Sequence, residues 1–139
     1  MKETVSWQVS PVMRIKADNT MLINAITLTT SRMGESIHFY ESLGFHVAHG
    51  DEASDFVTMA YGAERKCFVN LIAVATDAEV ATGWGRVIFH VDDVDALYER
   101  LIARGLSPRA EPRDASWGER MFPIFDPNGH DLSFAKSLR

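Results

Sequence analysis

Apolar and polar residues alternate along this chain with two periods, and the same succession of the two occurs twice. Over residues 22–30, Leu22, Ile26 and Leu28 are apolar while Ala25, Thr27 and Thr29 are small or polar, which predicts a half-buried strand. The period then changes. Met33, Ile37 and Tyr40 are spaced by four and three, as are Val94, Tyr98 and Leu101, and each set lines one face of a helix, predicted over 33–43 and 94–104. Ser31 and Asp92 open these stretches as polar helix starts. Gly44-Phe45 and Gly105-Leu106, 61 positions apart, close them in the form of a left-handed C-cap followed by an apolar residue.

Further strand-like runs follow each helix: 45–49, 56–61 and 66–74 in the first half, then 106–111, 119–125 and 130–135 in the second, whose opening strand is 85–91. Gly50-Asp51, Gly62-Ala63, Pro112, Trp117-Gly118 and Pro127-Asn128-Gly129 supply the turns. The predicted fold is α+β: two βαβββ modules, 21–75 and 84–137, with mixed or antiparallel sheets curled around a cleft. They form a single domain over 21–139, preceded by an N-terminal extension over 1–20.

Composition narrows the function. The single cysteine, Cys67, excludes an intrachain disulfide and is compatible with a cytoplasmic location. No apolar run approaches the roughly 20 residues of a membrane span, and the first 20 residues are too polar for a secretory signal. A net charge of −5 without a Lys/Arg cluster argues against a nucleic-acid partner and mildly favours a cationic one. Dinucleotide-binding, phosphate-loop, serine-hydrolase and C-x-x-C motifs are absent from the sequence.

Four sequence words in this order carry a resemblance. They are Ser36-Ile37-His38-Phe39-Tyr40 with Leu43-Gly44-Phe45, then Val91-Asp92-Asp93-Val94-Asp95-Ala96, Trp117-Gly118-Glu119-Arg120 and Asp126-Pro127-Asn128-Gly129-His130. Together they resemble the vicinal oxygen chelate superfamily: glyoxalases, extradiol dioxygenases and bleomycin-resistance proteins. The resemblance implies that each module curls into a half-barrel and that two modules close around a cavity. In metal-dependent members, the first and last strands of each module carry His, Glu or Gln ligands. Those slots fall here on Ala25, Asn70, Arg86 and Ser133, which offer no imidazole or carboxylate, so neither a metal nor any other cofactor is expected.

Strand periodicity assigns the faces. Val87, Phe89 and Val91 pack under a helix, as do Val69 and Leu71, and Leu132 and Phe134. The expected ligand-binding set is Phe68, Asn70, Trp84, Arg86, His90, Asp131 and Ser133, and no catalytic residue is assigned. His90 reads either as a ligand contact or general base, or as a polar strand end. His46 and His49 on one strand are expected on opposite faces, His38 in solvent, and His130 as structural or at the groove mouth. Cys67 reads as a small hydrophobe, and Trp84 and Trp117 each as a stacking wall or edge packing, with service to the fold the leading reading for Trp117; Trp7 is not placed.

The resemblance is closest to the metal-free bleomycin-resistance type. It implies a homodimer that sequesters a small cationic or aromatic organic ligand. The alternative is a glyoxalase-like lyase, isomerase or dioxygenase with a non-standard site, built on His90 with Asp131 or on ligands from another chain.

Overall fold

A computed structural model describes residues 21–64 and 66–139. The helices and strands run β1 (Ala25–Thr30), α1 (Met33–Leu43), β2 (His46–His49), β3 (Phe56–Tyr61) and β4 (Cys67–Ala73), then β5 (Arg86–His90), α2 (Val94–Ala103), β6 (Arg113–Ala115), β7 (Glu119–Phe125) and β8 (Asp131–Ser137). A short 3₁₀ turn, Asp77–Glu79, sits in the link between the halves. The two sheets share one plan, β1-β4-β3-β2 and β5-β8-β7-β6. In each, the first strand runs parallel to the last and the remaining pairs are antiparallel. The duplicated α+β reading therefore stands.

One core joins the modules. Ile37, Tyr40 and Leu43 of α1 and Val94, Leu97 and Leu101 of α2 are buried with the inner rows of both sheets, Leu28, Val69 and Leu71 on one side and Leu132 and Phe134 on the other. The opposite face of each sheet is left outside this core, because side chains alternate along a strand.

The glycine caps form as expected. Gly44 lies at φ 111°, and the Phe45 N–H donates to the Tyr40 carbonyl at 3.0 Å. Gly105 lies at φ 82°, with the matching Leu106-to-Leu101 bond at 3.0 Å. Only Gly and a few polar residues enter this region readily, so the cap chemistry follows from the sequence.

Three local expectations need correction. Ser31 does not cap α1; its hydroxyl donates to Asp77 in the link, and the Arg32 N–H instead donates to Thr30 Oγ1 at 2.9 Å. Asp93, not Asp92, caps α2, accepting from the Ala96 N–H at 2.9 Å. The strand expected over 106–111 is irregular, and the short β6 forms later, at Arg113–Ala115. Pro108 and Pro112 explain the shift, since neither can donate to a ladder.

The Asp126-Pro127-Asn128-Gly129-His130 turn fastens module two to module one. The buried Tyr40 hydroxyl donates to Asp126 Oδ2 at 2.8 Å, and the Asn128 and His130 N–H groups both donate to Oδ1 at 2.9 Å. Burial, then the Asp126 charge, push the Tyr40 phenol well above its ordinary pKa. Thr30 Oγ1 donates to Asn128 Oδ1 at 2.7 Å, and Asn128 Nδ2 donates to Ser36 Oγ at 2.9 Å. His130 is structural, one of the two readings the sequence left open. It is almost fully buried, accepts the Trp84 indole N–H on Nδ1 at 3.0 Å, and so turns Nε2–H toward the Thr29 carbonyl at 2.8 Å.

Candidate functional site

The outer face of module two is built in rows across β5, β8 and β7. Arg86 lies beside Asp131, which lies beside Phe125; Ile88 beside Ser133 beside Pro123; His90 beside Ala135 beside Met121. Arg113 on β6 extends the last row. The irregular segment before β6 folds back over this face, held by the Arg109 N–H on the Pro123 carbonyl at 2.9 Å. The Arg109 guanidinium stacks 4.0 Å from the centre of the Phe125 ring and meets Asp131 Oδ1 at 3.0 Å. The result is a cleft of about 230 Å³ walled by Arg86, Arg109, Arg113, Trp117, Met121 and Asp131, with Pro123 on its floor.

At the next row a relay closes the rim. The exposed Trp117 indole N–H donates to Glu119 Oε1 at 3.0 Å, and Glu119 Oε2 sits 2.8 Å from His90 Nε2. These two hydrogen bonds, Trp117 first, hold the Glu119 carboxyl below its usual range. An ionised carboxylate only accepts, so His90 carries its proton on Nε2.

Module one presents a different outer face. Ala25, Thr27 and Thr29 of β1 lie beside Phe68, Asn70 and Ile72 of β4. Thr58 Oγ1 donates to Asn70 Oδ1 at 2.8 Å, and Asn70 Nδ2 donates to Thr27 Oγ1 at 3.2 Å. The amide is thus engaged at both ends. A bulge between Val47 and His49 corrects another expectation. His46 pairs with Ala60 and His49 with Thr58, so both imidazoles stand on this outer face.

The expected binding residues thus divide. Phe68 and Asn70 lie on module one; Arg86, His90, Asp131 and Ser133 lie on the outer face of module two. The strand-face assignments made from periodicity hold at every one of these positions. Arg86 and Asp131 come together in the cleft, whereas Ser133, fully buried in the next row with its hydroxyl unpartnered among the described residues, does not line it. Trp84 is tied to His130 at the junction and keeps 42% of its surface exposed. His90 and Asp131 do not pair: they sit two rows apart, bound to Glu119 and Arg109 respectively. The acid–base pair suggested for an enzymatic reading is not assembled within this chain.

Arg109 and Arg113 were missed as cleft residues, and Trp117, which could be read as a stacking wall, was placed first with the fold. Trp117 was legible as an aromatic next to a turn. The arginines had no signal, because Arg109 lies on an irregular segment whose path is set by contacts with β7 and β8, and Arg113 opens a strand only three residues long.

A second cleft, of about 260 Å³, opens between the modules, with Tyr61, Cys67 and Phe45 on one side and Phe89, Asp93 and Arg100 on the other. Burial raises the Cys67 thiol, which disfavours its thiolate.

The four slots that hold metals in metal-dependent relatives do not supply a donor set. Ala25 has no donor atom and Arg86 is a cation. The Asn70 amide is spent on two threonines, and Ser133 offers one neutral hydroxyl. Among the described residues, no three His, Cys, Asp or Glu side chains gather where a metal could be held. No helix among them is long and apolar enough to cross a membrane.

Comparison with known proteins agrees with this architecture. Residues 22–134 match the family model described as the Glyoxalase/Bleomycin resistance protein/Dioxygenase superfamily. The chain is similar to a bleomycin-binding protein solved with bleomycin, at TM-score 0.66 and 20% identity over 85% of this chain and 99% of that one. It is also similar to a bleomycin resistance determinant encoded on transposon Tn5, at TM-score 0.66 and 20% identity over 81% and 95%. A glyoxalase/bleomycin resistance protein/dioxygenase from Nocardioides gives TM-score 0.66 and 21% identity over 92% and 89%. At these identities the likeness is one of fold. No curated protein matches the chain.

Proposed function

We propose that this chain, which belongs to the Glyoxalase/Bleomycin resistance protein/Dioxygenase superfamily, binds and sequesters a small organic ligand without a metal and without transforming it. The observation that carries the reading is the chemistry of Ala25, Asn70, Arg86 and Ser133, which replaces a metal-binding set with a methyl, an engaged amide, a cation and a buried hydroxyl. A divalent ion needs imidazole or carboxylate donors at these places.

The outer faces supply what a ligand needs: flat apolar walls and a few polar groups. Trp84, Trp117, Phe56, Ile72, Ile88 and Phe125 are each more than a third exposed. Such side chains favour an aromatic ligand, and they favour a cover. The cover is a second copy of the chain, in a twofold homodimer that sets the outer face of module one against that of module two. Phe68 and Asn70 of one copy would then share a cavity with Trp84, Arg86, His90, Asp131 and Ser133 of the other. The protein works in the cytoplasm, where the single thiol stays reduced.

Titration calorimetry with a bleomycin-type drug, with light scattering for mass, tests this. Saturable binding by a dimer that is unchanged by chelator is expected. Stoichiometric transition metal that rises and falls with a lyase or dioxygenase activity overturns it.

A further inference from the structure

We infer that the cleft on module two is an oxyanion subsite, made for a carboxylate or phosphonate group carried on a single flat ring. This rests on the reading that the chain holds a small organic ligand, and it names the class of that ligand.

Charge is the first argument. Three guanidinium groups, Arg86, Arg109 and Arg113, line the cleft against one carboxylate, Asp131. That carboxylate is taken by Arg109 at 3.0 Å. Glu119, on the neighbouring row, is spent on Trp117 and His90. Arg86 and Arg113 have no ion-pair or hydrogen-bond partner among the described residues, whereas Arg32 and Arg120 each bind carboxylates. Arg86 stands on the edge strand β5 and Arg113 on the opposite edge strand β6, with β8 and β7 between. Both of these unpaired forks line the one cleft, which makes its polar wall cationic and suited to an oxyanion.

The net charge of −5 points to a cation for the molecule as a whole, but long-range charge governs approach. What is held is decided by the groups within hydrogen-bond reach, and here they are cationic.

Shape is the second argument. Met121, Pro123 and the Trp117 indole give the cleft apolar sides next to the arginines. An apolar cavity of about 150 Å³ suffices for benzene. A cleft of about 230 Å³ therefore has room for one ring with an attached oxyanion.

Calorimetry on the full chain with four probes tests the assignment: benzoate, phenylphosphonate, the neutral isostere benzamide and the cation benzylamine. Both anions are expected to bind saturably and ever more weakly as salt rises. Phenylphosphonate should bind more tightly than benzoate if a phosphonate is the natural head group, and no more tightly if it is a carboxylate. Benzamide should bind at least about tenfold more weakly than benzoate, since the charge-assisted bonds are lost. Arg86→Gln and Arg113→Gln should each weaken the anions about tenfold, while Arg100→Gln, outside this cleft, leaves them unchanged. Benzamide or benzylamine binding as tightly as the anions overturns the assignment, and so do anions indifferent to the Arg86→Gln/Arg113→Gln pair. Silence of all four probes overturns it too. If a bleomycin-type drug still binds in that last case, ligand holding survives and only the anionic class is lost.

Discussion

The two modules share strand order, helix position and glycine caps, yet their outer faces differ in kind. On module one, Thr27, Asn70 and Thr58 bind one another, and the sheet's polar groups are closed on themselves. On module two, an irregular segment folds over the sheet with Arg109, and β6 adds Arg113, to make a cleft in which Arg86 and Arg113 have no ion-pair partner among the described residues. The duplicated plan thus fixes a scaffold, and a departure from it at one connection makes a site. What differs is the path between α2 and β7, where two prolines delay the strand that module one forms at once after its helix.

The junction gives the largest expected effect. Asp126 of module two is buried and receives the Tyr40 hydroxyl and two backbone N–H groups, so Asp126→Ala should cost about 3 kcal/mol in denaturant unfolding. Tyr40→Phe should cost about 1–2 kcal/mol, because it leaves Asp126 its two backbone donors. A chain in which Asp126→Ala unfolds one module while the other stays protected in hydrogen exchange would show that the halves do not depend on this turn.

The caps sharpen the comparison next. A Cβ on Gly44 would lie 2.8 Å from the Tyr61 ring, whereas one on Gly105 would meet nothing within 4 Å. Both glycines hold positive φ, so each alanine costs about 1–2 kcal/mol, and Gly44→Ala should cost about 1 kcal/mol more than Gly105→Ala in thermal unfolding. Equal losses would mean that Tyr61 moves aside freely.

Ligand affinity should separate the faces in the same direction. Asn70→Ala, which breaks a closed network on module one, should weaken binding about threefold at most, against about tenfold for Arg113→Gln on module two. The reverse order in calorimetry would move the site to module one.

Acid gives the smallest effect. Asp95 and Glu119, both in module two, titrate below their ordinary range, Asp95 because it binds Arg120 and Glu119 because it binds Trp117 and His90. A lowered folded pKa stabilises above the ordinary carboxylate range and is lost as pH falls through the lowered value. Hydrogen exchange at β6 and β7 should therefore quicken below about pH 4, with only a slight fall in global stability, since Asp95 is exposed and Glu119 lies at the rim of the sheet. Unchanged exchange in that range would mean the ion pairs contribute nothing.

Much of this was legible in the sequence. The faces of β4, β5 and β8 follow from alternation alone, so Arg86, Ile88 and His90 were separated correctly from Val87 and Phe89. The helices and their glycine ends follow from a period of 3.6 and from the left-handed cap. The division of the expected binding residues between two faces was not legible, because alternation assigns a face within a strand and says nothing of which sheets oppose each other.

What the chain dictates by itself is local: period and turn chemistry. Only the folded molecule decided who meets whom. The bulge at β2 turns His49 to the side of His46, Asp93 displaces Asp92 as a cap, Glu119 claims His90, and Arg109 is drawn over Phe125. Apart from the Asp93 cap, which is local, each of these depends on how segments separated in sequence are brought together, and a shift of one residue in strand register reverses the face that a side chain presents.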